Sequence, residues 1–425
     1  MSVIPPMPDS RPPGISILAR WRRFRRDIFA SQPERLYRAQ MAELRAPRYR
    51  SFTVVQPEVA RHVLAEADAF PKSRVLARTL APLLGRSVFV TNGPEWARGR
   101  AIIDPAFSGG RVRQMLPRMR EAGERMLQGI APGVVEVEEL TARVTADVIL
   151  RAMFSRPIDD ALAGEVFETF RAYQRVQPLA SPIDVMRLPD WLPRRRRGQR
   201  EAARLRQVMA RMLAARTGDE EDMIARLGAL SPEALLDNAV MFLLAGHETS
   251  ASALSWALLC LALDPATQDR VVAEVGTGEI PDFRQLPFTR DVWREVLRLY
   301  PPVPMLPRES AASTSLRDRP VRPGDPVILS PWHTGRSERV WDDPHAFDPD
   351  RWSRAVPSEA WFPFSAGPRI CPGAGFATAE GVLFLAMIVQ KWRVEPIEGD
   401  LPRPVAHLTV RSADGIRLRF TERVA

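Results

Sequence analysis

The run of ten residues from Phe364 to Gly373, F-S-A-G-P-R-I-C-P-G, constrains this chain more than any other feature. Two glycines and two prolines in so short a span exclude helix and strand and require a tight, stiff loop. The loop carries Cys371, one of only two cysteines in 425 residues. Gly367 and Gly373 let backbone N–H groups approach the sulfur, Phe364 offers an apolar lid, and Arg369 can reach an anion beside a bound metal. A lone cysteine cannot complete a zinc site, which needs three or four nitrogen or sulfur ligands. It can be the axial ligand of a haem iron, because the porphyrin supplies the other positions.

The remainder reads as many helices joined by irregular, proline-rich loops. Ser231-Pro232-Glu233 is a strong helix start, with a capping serine, a first-turn proline and an acid at the dipole's positive end. That helix should run to about Leu263 and stop before Asp264-Pro265, a length of about 50 Å. It is apolar on most sides, yet His247, Glu248, Thr249, Ser250, Ser252 and Ser255 interrupt it. A buried central helix with a polar patch facing a cavity fits this better than a membrane span. Further helices are expected over 57–69, 96–107, 111–130, with Pro117 near its start, 139–154 and 160–176. Another is expected over 197–216, charged and on the surface. Strand character marks 48–55 and several short pieces after Leu316. Ala413-Asp414-Gly415 reads as a hairpin turn within 408–420. The fold class is therefore mainly α with small β-sheets, and the βαβ alternation of a dinucleotide-binding sheet is absent.

The pattern F-x-x-G-x-R-x-C-x-G, followed by G-F-A-T-A-E, resembles the haem-binding loop of the cytochrome P450 family of haem-thiolate monooxygenases. Four further motifs fit the resemblance. A-G-H-E-T, Ala245 to Thr249, resembles the distal helix motif. There Glu248 and Thr249 would be the acid–alcohol pair delivering protons, Ala245 would line the haem pocket, and Gly246 would let substrate, dioxygen or a kink approach the backbone. His247 has no role that transfers. E-V-L-R, Glu295 to Arg298, and F-D-P-D-R-W, Phe347 to Trp352, resemble the two halves of a structural triad of Glu295, Arg298 and Arg351; Trp352 stands where most members have phenylalanine. W-A-R-G-R supplies Trp96 and Arg100 as contacts for a haem propionate, and Arg308 and Arg369 match two more. The resemblance thus implies a single haem-thiolate domain over 1–425, with a Pro-rich, basic segment over 1–30. It implies haem b held between the central helix and the cysteine loop with Cys371 as iron ligand, and hydroxylation of a hydrophobic substrate by O2. A haem-thiolate peroxygenase or isomerase and a non-catalytic haem sensor are the alternatives; the intact acid–alcohol pair favours dioxygen activation.

The net charge of +9 is carried almost wholly by arginine, since Lys72 and Lys391 are the only lysines. This favours an acidic partner. No zinc-finger spacing, RNA-binding aromatic motif or basic recognition helix points to nucleic acid. No flavin or iron–sulfur module follows the haem loop, so a separate ferredoxin or flavodoxin is expected as electron donor, docking over the Cys371 side with Arg98, Arg111 and Arg113 on its face. The arginine bias suggests a bacterial source. The proline-rich N-terminus is neither signal peptide nor anchor, which reads as a cytoplasmic monomer, with the basic amphipathic stretch 15–29 and the run 191–197 available for peripheral membrane contact. Val75 to Thr91, Ala245, Thr249, Met305, Leu306 and the turn near Thr409 should line the substrate pocket. Arg74, Arg78 and Arg86 read mainly as solvated.

Overall fold

The central helix forms where its caps place it. Ser231 Oγ accepts from the Ala234 N–H at 3.3 Å, and Pro232 opens the helix without a donor to leave unpaired. Helix Pro232–Leu243 continues through a π turn, Leu244–Glu248, into helix Thr249–Leu263. Asp264 then ends it and caps the next helix, accepting from the Thr267 N–H at 3.1 Å. The computed structural model describes all residues except 1–2, 13, 47–48, 177–197, 218–221 and 424–425. The run 191–197 read as a possible membrane contact lies outside the described residues.

Helices Gly109–Gln128, Val137–Phe154 and Ala374–Lys391 pack around the central helix and form the main core with it. Polar zippers set their register. Thr141 Oγ1 and Ser255 Oγ lie 2.6 Å apart, and Thr145 Oγ1 donates to the His247 carbonyl at 3.2 Å. The second contact falls at the π turn. Gly246 is needed for a reason the sequence did not show. A Cβ there would lie 2.8 Å from Ile149 Cδ1, so glycine admits the neighbouring helix rather than substrate.

Among the described residues the strands are β1 (Met41–Ala46), β2 (Tyr49–Val54), β3 (Gly133–Glu136), β4 (Leu306–Glu309), β5 (Thr314–Leu316), β6 (Arg319–Val321), β7 (Pro326–Leu329), β8 (Trp392–Pro396), β9 (Pro404–Ala406), β10 (Val410–Ser412) and β11 (Arg417–Glu422). The largest sheet has the order β1-β2-β7-β4. Its β2 and β7 run parallel, with Phe52 opposite Val327, and β4 sets Arg308 opposite Val327. A smaller apolar cluster, including Phe52, Leu64, Phe70, Leu329 and Phe362, packs on it. The sheet therefore carries Arg308, through its edge strand, toward the haem-binding segments.

Three expectations need correction. Residues 408–420 do not form a hairpin: β10 pairs with β9, whereas β11 pairs with β3 and β8. Alternation was a true strand signal, but it does not name the partner. Helix Gln199–Ala214 is not wholly a surface element, since Ala202, Leu205, Val208, Met209 and Met212 bury one face. Pro117 lies inside helix Gly109–Gln128 rather than in its first turn. Among the described residues, one helix, Ala374–Lys391, is long and apolar enough to cross a membrane, and 67% of its apolar window is buried.

Candidate active site

The cysteine loop is held by its own backbone. The Cys371 N–H donates to the Phe364 carbonyl at 2.9 Å. Gly367 has φ +66°, and a Cβ there would lie 2.4 Å from the Leu64 carbonyl oxygen, so no other residue fits. Ser365, at φ +63°, takes a left-handed conformation without that freedom. Gly373 has an ordinary φ of −82°, so the turn does not need it. It contributes its N–H to Cys371, which favours the thiolate; burial opposes this and pushes the thiol up, and the Arg100 charge draws it back. Helix Ala374–Lys391 starts just beyond, so the sulfur also sits near the positive end of a helix dipole. The side chain of Cys371 remains accessible, whereas Cys260 is fully buried in the core.

Four cations converge from four distant segments. Lys72, Arg100 and Arg369 stand around the indole of Trp96, and Arg308 joins them through its backbone bridge to Lys72. Lys72 Nζ lies 5.7 Å from the ring centroid, and the Arg100 and Arg369 guanidinium carbons lie 5.7 and 5.3 Å from it. Arg308 and Arg369 are buried, and Arg369 Nε makes no hydrogen bond. Burial and the charges of Arg369, Arg308 and Arg100 push the Lys72 ammonium down to about 6. Burial, with help from Arg369, lowers Arg308 to about 10. Among the described residues Asp104, 2.5 Å from Arg100, is the one carboxylate paired with the group, whose other partners are backbone carbonyls. Such a cluster is costly unless a bound anion neutralises it. The two propionates of haem b supply that charge, so the residues present fit the cofactor. Lys72 is a member that the sequence reading missed: nothing local marks it, because the cradle exists only once the chain is folded.

The central helix is partly accessible at one place along its buried stretch. Between Asp237 and Ala262 every residue is buried except Ala245, Gly246 and Thr249. Thr249 Oγ1 donates to the Ala245 carbonyl at 2.6 Å. Glu248 is buried and held from the C-terminal side, with its Oε1 accepting from Thr409 Oγ1 at 2.6 Å and Arg411 Nη2 at 2.7 Å. Burial raises the Glu248 carboxyl, but Arg411 and Thr409 outweigh it and hold it below its usual range. His247 is buried, with Nδ1 3.0 Å from Thr145 Oγ1; burial pushes it down to about 3, so it is neutral.

Glu295, Arg298 and Arg351 come together as one buried cluster. Arg298 donates through Nη2 and Nε to Glu295 at 2.7 and 2.8 Å, and Arg351 Nε donates to Oε1 at 3.3 Å. Trp352 adds its indole N–H to Glu295 Oε2 at 3.2 Å, a bond phenylalanine could not make. On the expected pocket side, Arg74 and Arg86 are exposed, as expected of solvated arginines, and each also makes a surface ion pair, with Glu309 and Glu95 respectively. Arg78 also has an interaction partner.

On the side of the cysteine loop opposite the central helix, a cavity of about 750 Å³ is walled by Phe107, Trp361, Phe364 and Ile370 and edged by Arg113 and Arg294. Ile370 is 48% exposed, one of few large apolar side chains so placed. Arg98 and Arg113 are exposed, while Arg111 donates to Gln114 Oε1 at 2.7 Å.

Comparison with known proteins agrees with this geometry. The cytochrome P450 family model matches residues 12–420. The chain is 32% identical to cyclooctat-9-en-7-ol 5-monooxygenase of Streptomyces melanosporofaciens, over 90% of this chain and 87% of that protein. It is 29% identical to protein LUTEIN DEFICIENT 5 of Arabidopsis thaliana, over 88% and 71% respectively. A six-coordinated cytochrome P450 from Thermus thermophilus superposes with a TM-score of 0.72 at 25% identity, covering 90% of this chain and 95% of that one. The chain belongs to the cytochrome P450 family. It is a haem b monooxygenase that uses O2 and electrons from a donor to hydroxylate an organic substrate. The alternative of a sensor without catalysis falls away with that assignment.

Proposed function

We propose that Cys371 is the iron ligand of a single haem-thiolate domain spanning 1–425, whose substrate is a medium-sized hydrophobic molecule of terpenoid type. The observation that carries the haem site is the convergence of Lys72, Arg100 and Arg369 on Trp96, with Arg308 bridged to Lys72, and one carboxylate paired with the four cations among the described residues. Trp96, Arg100, Arg308, Arg369 and Lys72 take the propionates, Phe364 and Gly373 shield and tune the sulfur, and Ala245 borders the porphyrin. The bound haem supplies O2 binding and activation, with the thiolate donating electron density. Thr249 and Glu248 hold and move protons at their hydroxyl and carboxyl oxygens, and Glu295, Arg298 and Arg351 lock the loop. The substrate class rests on the apolar residues of Val75 to Thr91, Met305 and Leu306, and on the relative that acts on cyclooctat-9-en-7-ol, a largely hydrocarbon alcohol.

The electron donor is an acidic ferredoxin or flavodoxin seated over the cavity beside Ile370, where apolar walls are rimmed by Arg113 and Arg294. A bacterial, cytoplasmic monomer suits the composition.

Three experiments test this reading. The reduced, carbon-monoxide-bound protein should show the haem-thiolate absorption band, and Cys371→Ala should lose it; a variant that keeps the band ends the assignment. Thr249→Ala should bind haem normally yet send reducing equivalents to peroxide. For the substrate, a panel of terpenoid alcohols, fatty acids and aromatics is screened for the spectral shift on loss of iron-bound water. Responses confined to small polar ligands would exclude the hydrophobic class.

A further inference from the structure

Glu248 is not free to move a proton in the arrangement described. Thr409 and Arg411 both hold the same oxygen, Oε1, Gln174 also lies close to the carboxylate, and Oε2 is buried with no hydrogen bond of good geometry. Its ion-pair partner Arg411 is one third exposed, so one guanidinium links a sealed carboxylate to solvent. A second carboxyl lies within reach of the same charge. Glu138, half-buried in the first turn of helix Val137–Phe154, accepts from the N–H of Ser412, the residue after Arg411, at 2.9 Å. Burial and the neighbouring Glu136 push Glu138 up to about 7, against the pull of Ser412 and Arg411. One ionised acid and one that carries a proton near neutrality thus share a single cation.

We propose that Arg411 and Glu138 load Glu248 with its proton: the guanidinium swings from Glu248 to Glu138, Glu138 gives up its proton through solvent beside the exposed Arg411, and Glu248 takes one up on Oε2. One ion pair breaks and one forms, one O–H bond breaks and one forms, and net charge is unchanged. Thr409, donating to Oε1, keeps the carboxyl in place meanwhile. Around Glu248 stand His247 on its own segment, Arg171, Tyr173 and Gln174 from helix Ala161–Gln174, and His407 and Arg411 from the C-terminal side. Glu136 and Arg411 face Glu138. Burial and the Arg411 charge depress both histidines and Tyr173 is raised out of range, so among these groups Glu138 sets the response near pH 7.

This rests on Glu248 and Thr249 serving proton delivery, and the experiment separates the two ideas. Full-length holoprotein is titrated by infrared spectroscopy between pH 5 and 9, watching the protonated-carboxyl C=O band. It is also turned over with a surrogate ferredoxin and ferredoxin reductase while peroxide yield is measured against pH. A carboxyl band should disappear with a midpoint near 7 and be missing in Glu138→Gln. That variant should keep the carbonyl spectrum, raise peroxide yield by roughly tenfold at pH 7 and flatten its pH dependence. Arg411→Met should add a carboxyl band from unpaired Glu248, and Arg411→Lys should remove it again. A wild-type protein with no band titrating near 7, or a Glu138→Gln variant with the wild-type pH profile, overturns the proposal. If Thr249→Ala leaves peroxide yield unchanged, the underlying proton-delivery reading fails instead.

Discussion

Two groups of buried arginines differ in one respect that matters for function. In the Glu295 cluster every cation is answered. Arg298 donates to Glu295 and to the carbonyls of Gly335, Pro344 and Ala346, and Arg351 to Glu295 and the carbonyls of Asp342 and Asp343. In the Trp96 cluster Lys72 donates to the carbonyls of Val88 and Thr91, Arg308 to that of Pro307 and Arg369 to that of Phe70, but among the described residues Asp104 is the one carboxylate paired with the four cations. Burying charge costs several kcal/mol unless it is paired, so the two clusters cannot have the same role. The first is complete within the chain and reads as architecture. The second is complete only with an anion and reads as a binding site.

The sharpest way to break this contrast is to remove one member of the complete cluster. Arg298→Ala leaves Glu295 with a weaker partner and strands three carbonyls, and should cost about 3–5 kcal/mol. The check is a urea unfolding midpoint together with haem content, and a stable, fully loaded variant would erase the distinction. Next comes the pH response of Lys72 in haem-free protein. Its pKa, about 6 in the folded chain, lies below the ordinary lysine value of 10.5, so the unfolded chain holds the extra proton between those limits. Stability of the haem-free protein should therefore rise with pH, gaining roughly 2 kcal/mol between pH 6 and 8, with the full penalty present below about 6. Lys72→Met should flatten the curve, and haem loading should suppress it; unfolding curves at several pH values test both. Arg308→Leu should act with opposite signs on two states, making haem-free protein more stable by about 1–2 kcal/mol while speeding haem loss. Transfer of haem to apomyoglobin measures the second effect. The smallest change sharpens the first cluster: Trp352→Phe deletes only the indole N–H to Glu295 and should cost about 1 kcal/mol.

What could be read from the residues follows the same divide between local and assembled features. The cysteine loop was legible because ten consecutive residues encode it. Glu295 and Arg298 were legible because they sit one helical turn apart. The central helix was legible from its caps and its apolar length. Lys72 was not, since it meets Arg308 and Arg369 only through an edge strand and a loop more than two hundred residues away. Nor were the ties of Glu248 to Thr409 and Arg411, which lie in a segment read as half of a hairpin. Alternation located those strands but not their neighbours, and their neighbours are what bring Arg411 to the central helix. Gly246 was read as room for substrate, dioxygen or a kink; it lies in the π turn, and a sequence does not show that Ile149 packs against it.

The π turn at Leu244–Glu248 also acts as a phase shift in the central helix. Successive helical residues are set about 100° apart, so the looser turn rotates everything after it relative to everything before. Residues 232–243 and 249–263 therefore obey two separate angular frames. The turn thus absorbs one extra residue: five residues close a loop that four close in an α-helix, so a deletion inside it could be taken up by regular helix with the flanks nearly unmoved. A one-residue insertion or deletion elsewhere in residues 249–255 has no such slack, and would cost Ser255 its alignment with Thr141.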